Sequence, residues 1–280
     1  KVSVNGTTVI LVTYLLLQTD ITIVLRKNII CYQSLAKIII HRDLLIMNIN
    51  GKNAIVFGGT SGIGLSATTM LSKKGANVVA VSRNPEKLKT LPKNVTTNKL
   101  DITDKESVEK FFLKIGEYDI LVNSATGGAR AVGPFLSMDL NGFRASFDKL
   151  WGYANVVRYG TKFLKDDGNI VLVSGSPARK SRPGQIAISS VGGAVEAFAR
   201  AIAPEIAPKR INIVAPGIID TPMNSLKGKA RQEFYQNTTK SNLIPRAGTP
   251  DEVAKAIIFA IENDFITGTT IDIDGGWLLS

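Results

Sequence analysis

The amino-acid sequence predicts an α/β fold, a single doubly wound parallel sheet of about seven strands flanked by helices. Three observations carry that prediction. Short apolar runs recur at 53–57, 77–81, 95–100, 119–122, 169–173, 211–214 and 270–273. Stretches of helical period lie between them at 62–74, 104–115, 143–164, 188–206 and 250–262, the alternation expected of a parallel sheet covered on both faces. A glycine-rich turn, Gly58-Gly59-Thr60-Ser61-Gly62-Ile63-Gly64, joins the first run to the first helix.

Local signals justify individual elements. The first helix carries Lys73-Lys74 in its last turn, so its positive end faces the glycine turn, where an anion belongs. The last helix has Thr249 to cap it, Pro250 for its first position and Glu252 where a capping box needs an acid. No linker or repeat divides 47–280, which therefore reads as one domain.

Residues 1–46 read differently. They hold nine Ile and eight Leu but no Pro or Glu, and the first methionine of the chain is Met47. The expectation is an N-terminal extension of separate origin, with Met47 as the native start. An added structural arm and a membrane tail are the alternatives. The apolar run from Val9 to Leu17 is interrupted by Gln18 and Asp20, and no small-residue cleavage site follows, which argues against a spanning or signal segment.

Composition narrows the chemistry. The chain has one cysteine, Cys31, and one histidine, His41, so zinc sites and disulfide frameworks are excluded, and no metal is expected. Acid–base work beyond Met47 falls to Lys, Tyr, Ser, Asp or Glu. Thirty-four basic against 23 acidic residues leave +11, but the basic residues are scattered and no aromatic–basic ribbon accompanies them. No nucleic-acid partner and no membrane partner are expected.

Glycines 58, 62 and 64 have the spacing Gly-x-x-x-Gly-x-Gly, and further matches follow in order. They are Leu100-Asp101-Ile102, the run from Asp119 to Ala125, Ile170 to Ser174, Ala215 to Met223, and Ile266-Thr267-Gly268 through Asp274-Gly275-Gly276-Trp277. On these motifs the chain from Met47 onward resembles the short-chain dehydrogenase/reductase family. The resemblance implies a Rossmann-type fold, a nicotinamide dinucleotide, a small carbonyl or alcohol substrate, a cytoplasmic protein, and a homodimer or homotetramer built on the long helices. It assigns the pyrophosphate to the turn at Gly58, Thr60, Ser61, Gly62, Ile63 and Gly64. Asp101 and Ile102 then flank the adenine, Asn123, Ser124 and Ala125 line the cleft, and Pro216, Gly217, Ile219 and Thr221 lie on the nicotinamide side.

The second strand ends in Val81-Ser82-Arg83. An acid selecting NAD by its ribose 2'-hydroxyl is absent there; Ser82 takes its place and Arg83 is suited to a 2'-phosphate. NADP(H) is therefore expected over NAD.

The catalytic pattern breaks. The family uses a Tyr for proton transfer and a Lys one helical turn later, and the register set by Ala194-Val195-Glu196-Ala197-Phe198 places Ile188 and Gly192 at those positions. No tyrosine occurs between Tyr159 and Tyr235. Gly175 falls most directly at the family serine, with Ser174 and Ser176 on either side as candidates. Lys149, three residues before Gly152, stands where the family has Asn. An ammonium there, its pKa lowered by burial, is a candidate to polarise or protonate a carbonyl oxygen. Arg179, Lys180 and Arg182 form a second basic cluster, read either as a substrate anchor or as solvated charge. Phe57, in place of the family's Thr, is expected to alter packing near strand four more than chemistry. Two functions follow: an oxidoreductase acting on a carbonyl, or on a conjugated double bond, with a non-standard proton donor, or a catalytically degenerate dinucleotide-binding structural or sensor protein.

Overall fold

The computed structural model describes residues 2–4, 7–12, 22–25, 48–88, 92–126 and 130–280. Two compact units divide at residues 47 and 48. In the first, β1 (Val2–Val4), β2 (Thr7–Val12) and β3 (Thr22–Leu25) pair as an antiparallel sheet. Cys31, His41, Met47 and positions 13–17 of the apolar run lie outside the described residues.

The second unit is a seven-stranded parallel sheet with helices on both faces, as the alternating runs predict. Its strands are β4 (Asn53–Phe57), β5 (Asn77–Ser82), β6 (Val95–Lys99), β7 (Tyr118–Asn123), β8 (Leu164–Val173), β9 (Arg210–Pro216) and β10 (Thr270–Ile273). They lie in the order β10-β9-β8-β7-β4-β5-β6. The order reverses direction between β4 and β7, and in open parallel sheets ligands bind outside the carboxyl ends of strands at such a switch point.

The connecting helices are α1 (Gly62–Lys73), α2 (Lys105–Ile115), α3 (Leu140–Ser146), α4 (Asp148–Gly160), α5 (Ile186–Ile206), α6 (Gly228–Thr239) and α7 (Pro250–Glu262). Asp104 caps α2, its carboxylate accepting from the Glu106 and Ser107 amides, and Thr249 and Glu252 form the expected capping box on α7. The core gathers β-branched residues of the central strands with Val108, Phe111 and Phe112 of α2. Phe57 is fully buried at the end of β4 and packs against Phe111 and Phe112 at 5.7 and 5.9 Å between ring centres. Its substitution thus acts on the α2 interface.

Four elements differ from the sequence expectation. The helix predicted over 143–164 is two helices, α3 and α4, separated at Phe147, and Leu164 already belongs to β8. Ser146 explains the first break: its hydroxyl donates to the Gly142 carbonyl and accepts from the Ala131 amide, tying the end of α3 to the preceding loop. At the far end Leu164 pairs with Tyr118, and the register shifts between Tyr118 and Ile120. Helix α6 carried no apolar period to reveal it, since only Tyr235 and Thr239 of its residues are buried. Helix α5 begins at Ile186, two residues before the predicted start. It is the one described helix long and apolar enough to cross a membrane, yet Ala187, Val191, Val195, Ala199 and Ala203 form a buried stripe, the pattern of a helix packed on a core.

Candidate active site

The cofactor half of the site is built from backbone. Gly58 turns the chain at φ +74° as it leaves β4, its amide donating to the Val81 carbonyl at 2.8 Å. A Cβ on Gly58 would lie 2.8 Å from the Ala125 nitrogen, and one on Gly64 would overlap the Gly58 carbonyl oxygen and Ser124 Oγ. These glycines let the turn, the start of α1 and the end of β7 approach closely. Helix α1 makes its first recorded bond from the Leu65 amide to Ser61. Among the described residues the amides of Ser61, Gly62, Ile63 and Gly64 have no protein acceptor. A row of free amides at a helix N-terminus fits a pyrophosphate.

The remaining cofactor candidates converge on the same edge. Ser124 donates from its amide and its hydroxyl to the Phe57 carbonyl, at 3.0 and 3.1 Å. Asn123 is wholly buried; its Oδ1 accepts from the Ala125 amide, while its Nδ2 has no partner. Thr221 lies against Gly62, its Cγ2 3.6 Å from where a Cβ on that glycine would stand, so the segment after β9 closes over the turn. Ile219 pairs with Gly248. Gly217 donates to the Ile273 carbonyl and leaves no room for a side chain beside Asp274. At the end of β5, Ser82 Oγ is buried without a partner, and Arg83 is exposed with no carboxylate in salt-bridge range among the described residues. An orphaned hydroxyl beside a free guanidinium fits a phosphorylated ribose.

Two adenine-side assignments need refinement. Ile102 is buried beneath Gly152, where any side chain on that glycine would collide with it. Only its backbone remains for a ligand, because its side chain belongs to the core. Asp101 Oδ1 accepts from the amide and hydroxyl of Thr103, forming a local turn.

The catalytic half is built from side chains. Lys149, on the first turn of α4, is partly buried, and its Nζ reaches the Ser174 carbonyl at the end of β8 at 3.4 Å. It also lies 5.4 Å from the ring centre of Tyr153, one turn along the helix. Burial, reinforced by the Arg130 guanidinium, lowers the Lys149 pKa to about 7. Tyr153 is no proton donor: it is enclosed, its hydroxyl donates to the Val173 carbonyl at 3.0 Å, and burial pushes its pKa upward.

Ser174 donates from Oγ to Glu196 Oε1 at 3.0 Å. Glu196 is 3% exposed on α5 and pairs with Arg179 at 3.5 Å. Neither contact was legible beforehand. Ser176 is corrected as a catalytic candidate, because it is fully buried and its hydroxyl donates to the Ala215 carbonyl at 3.2 Å, a bond between strand ends. The basic cluster is likewise spent as a substrate anchor. Arg179 binds Asp272 through both terminal nitrogens, one at 2.7 Å, and Lys180 binds the Trp277 and Ser280 carbonyls. Arg182 binds the Thr238 carbonyl and lies over the Trp277 ring.

On α5, Ile188 is half-buried, and Gly192 faces the turn Ser176–Ala178, with a Cβ there falling 3.1 Å from the Ala178 Cβ. Glycine thus lets α5 lie close to that turn. Among the described residues no three metal-ligating side chains cluster.

A glycine turn with free amides at a helix N-terminus, and a parallel sheet with its switch point at β4 and β7, fit a dinucleotide-binding α/β protein. The family model described as enoyl-(acyl carrier protein) reductase matches residues 58–278. The 3-oxoacyl-[acyl-carrier-protein] reductase FabG of Thermotoga maritima is 34% identical over 254 residues, covering 83% of this chain and all of that one. A small-chain dehydrogenase solved in complex with NADPH superposes with a TM-score of 0.74 at 31% identity, over 82% of this chain and all of its own. A short-chain oxidoreductase of Pseudomonas aeruginosa PAO1, described as containing an atypical catalytic center, superposes at 0.73 with 25% identity, over 81% of this chain and 97% of its own. The chain belongs to the short-chain dehydrogenase/reductase family, and its relatives support an NAD(P)-dependent oxidoreductase.

Proposed function

We propose that this protein is an NADP(H)-dependent oxidoreductase that interconverts a small carbonyl compound and its alcohol, with Lys149 as the proton donor. The observation that carries the reading is the Lys149 ammonium, partly buried at the end of β8 with a pKa near 7. With its pKa lowered toward neutrality the group populates both its charged and its neutral form and transfers a proton readily. A bound NADPH supplies the hydride. Lys149 donates to the carbonyl oxygen as negative charge develops there, and regains its proton from solvent. Ser174, its own proton held by Glu196, presents oxygen lone pairs and orients the substrate hydroxyl in the reverse direction.

For the cofactor, the free amides of Ser61, Gly62, Ile63 and Gly64 hold the pyrophosphate. Ser82 and Arg83 hold the 2'-phosphate, which sets NADP above NAD. Asn123 and Thr221 border the nicotinamide side. The solved relative with NADPH supports the choice of cofactor. A homodimer or homotetramer built on the long helices accords with the exposed Trp151 of α4.

The alternative, a dinucleotide-binding protein without turnover, is favoured by Ile188 and Gly192 at the positions of the family's Tyr and Lys. Loss of NADPH absorbance across a panel of aldehydes, ketones and enones decides between them. Cofactor binding with turnover that Lys149→Ala abolishes supports the enzyme; tight binding with silence across the panel supports the alternative.

A further inference from the structure

We infer that the substrate carries a negative charge of its own: it is an oxo-acid whose carbonyl faces Lys149 and whose anionic group is held by Arg130. The inference rests on the reading of Lys149 as the group at the reacting carbonyl, and it names the substrate class.

Arg130 lies in the segment that follows β7, and its Nη2 reaches Met223 Sδ, in the segment that follows β9, at 3.3 Å. Strand β8 runs between β7 and β9 in the sheet, and its end carries Ser174, the contact of Lys149. The Ala131 amide, next in the chain, donates to Ser146 Oγ at 2.9 Å, three residues before Lys149, so Arg130 lies beside the start of α4, with Lys149 partly buried and Arg130 exposed to incoming solute. Burial is the main cause that lowers the proton affinity of Lys149, and the positive charge of Arg130 adds to it.

Neither cation is compensated. Among the described residues no carboxylate comes within salt-bridge distance of Lys149 or Arg130, whereas Arg179 is paired with Asp272 and Glu196, Arg231 with Asp220, and Arg246 with Glu252. A thioether and a backbone carbonyl do not neutralise two positive charges. Like charges held near each other at a partly desolvated edge repel, and an anion bound at Arg130 removes that repulsion. It also returns Lys149 toward its protonated form, so that the arriving substrate arms its own proton donor.

The test compares 2-oxo, 3-oxo and 4-oxo carboxylates with their methyl esters as substrates of the full chain with NADPH, at 150 mM KCl to suppress non-specific attraction. One acid is expected to exceed its ester in kcat/KM by about 10- to 100-fold, the range of a charge-assisted pair, and Arg130→Ala is expected to erase that ratio. Equal turnover of acid and ester, or a ratio that survives Arg130→Ala, overturns the inference while leaving the oxidoreductase reading intact. Should neither acid nor ester be consumed, the oxidoreductase reading is still decided by the panel of aldehydes, ketones and enones, and calorimetric titration of the NADPH-loaded protein with oxamate and malonate decides the anion site. Saturable binding lost in Arg130→Ala upholds it, and absence of binding refutes it.

Discussion

The cofactor half and the catalytic half of this cleft share one sheet edge but are made of different material. Around β4, α1 and β7 the site consists of glycines, amides and carbonyls held at van der Waals limits. Around β8, α4 and α5 it consists of Lys149, Ser174, Glu196 and Arg179, each placed by a partner distant in sequence. A backbone site has few solutions and tolerates little change. A side-chain site can be rebuilt by exchanging residues on a retained frame, as the proposed role of Lys149 requires.

The sharpest break in the comparison comes from Lys149→Ala. Loss of a general acid costs about 100- to 10,000-fold in rate, so kcat is expected to fall by that factor while the NADPH dissociation constant, read by fluorescence titration, holds. Unequal effects on the two halves are the expected signature. Reduction should also lose rate as pH rises through about 7, where the ammonium deprotonates. A flat profile between pH 6 and 8.5 would place the proton elsewhere.

On the cofactor side, Gly58→Ala introduces a Cβ at φ +74° and 2.8 Å from the Ala125 nitrogen. Overpacking of that kind costs about 1–3 kcal/mol. NADPH affinity should drop at least 30-fold together with a lowered melting temperature. Arg83→Ala is expected to act more narrowly, weakening NADPH by about 10- to 100-fold, the worth of charge-assisted bonds, and leaving NADH affinity unchanged. An equal loss for both cofactors would remove Arg83 from the 2'-phosphate.

The smallest expected effect is on stability. Because the folded protein depresses the Lys149 pKa from 10.5 to about 7, the unfolded chain binds more protons between those values. Stability from this group therefore rises with pH across that window, and the full penalty stands below it. Lys149→Met removes the penalty and should raise the melting temperature at pH 7 by a few degrees. A lowered melting temperature would show that the ammonium serves packing instead.

Much of the frame was legible because it is local. Strands β4, β5, β7 and β10 announce themselves as apolar runs, Asp104 and Thr249 mark helix starts, and the glycine spacing places the phosphate turn between strand and helix. Helix α6 escaped because its burial is confined to Tyr235 and Thr239, too sparse for a periodic signal. The break at Phe147 escaped because Ser146 acts through Gly142 and Ala131. Lys149 was singled out only by its register. Glu196 entered only as part of the run that fixes the register of α5. Its partner Ser174 lies 22 residues away and Arg179 lies 17 away, and nothing in linear order reveals that β8 and α5 bring them together. Ser176 misled for the converse reason: its hydroxyl is consumed by Ala215, 39 residues on.

The central claim is that Lys149 donates the proton. Its most direct test is single-turnover oxidation of saturating NADPH by a competent carbonyl substrate, followed at pH 6.5 for the wild-type protein and for Lys149→Met. The account predicts a rate reduced at least 100-fold in the variant with cofactor still fully bound. A variant that oxidises NADPH at the wild-type rate would contradict it.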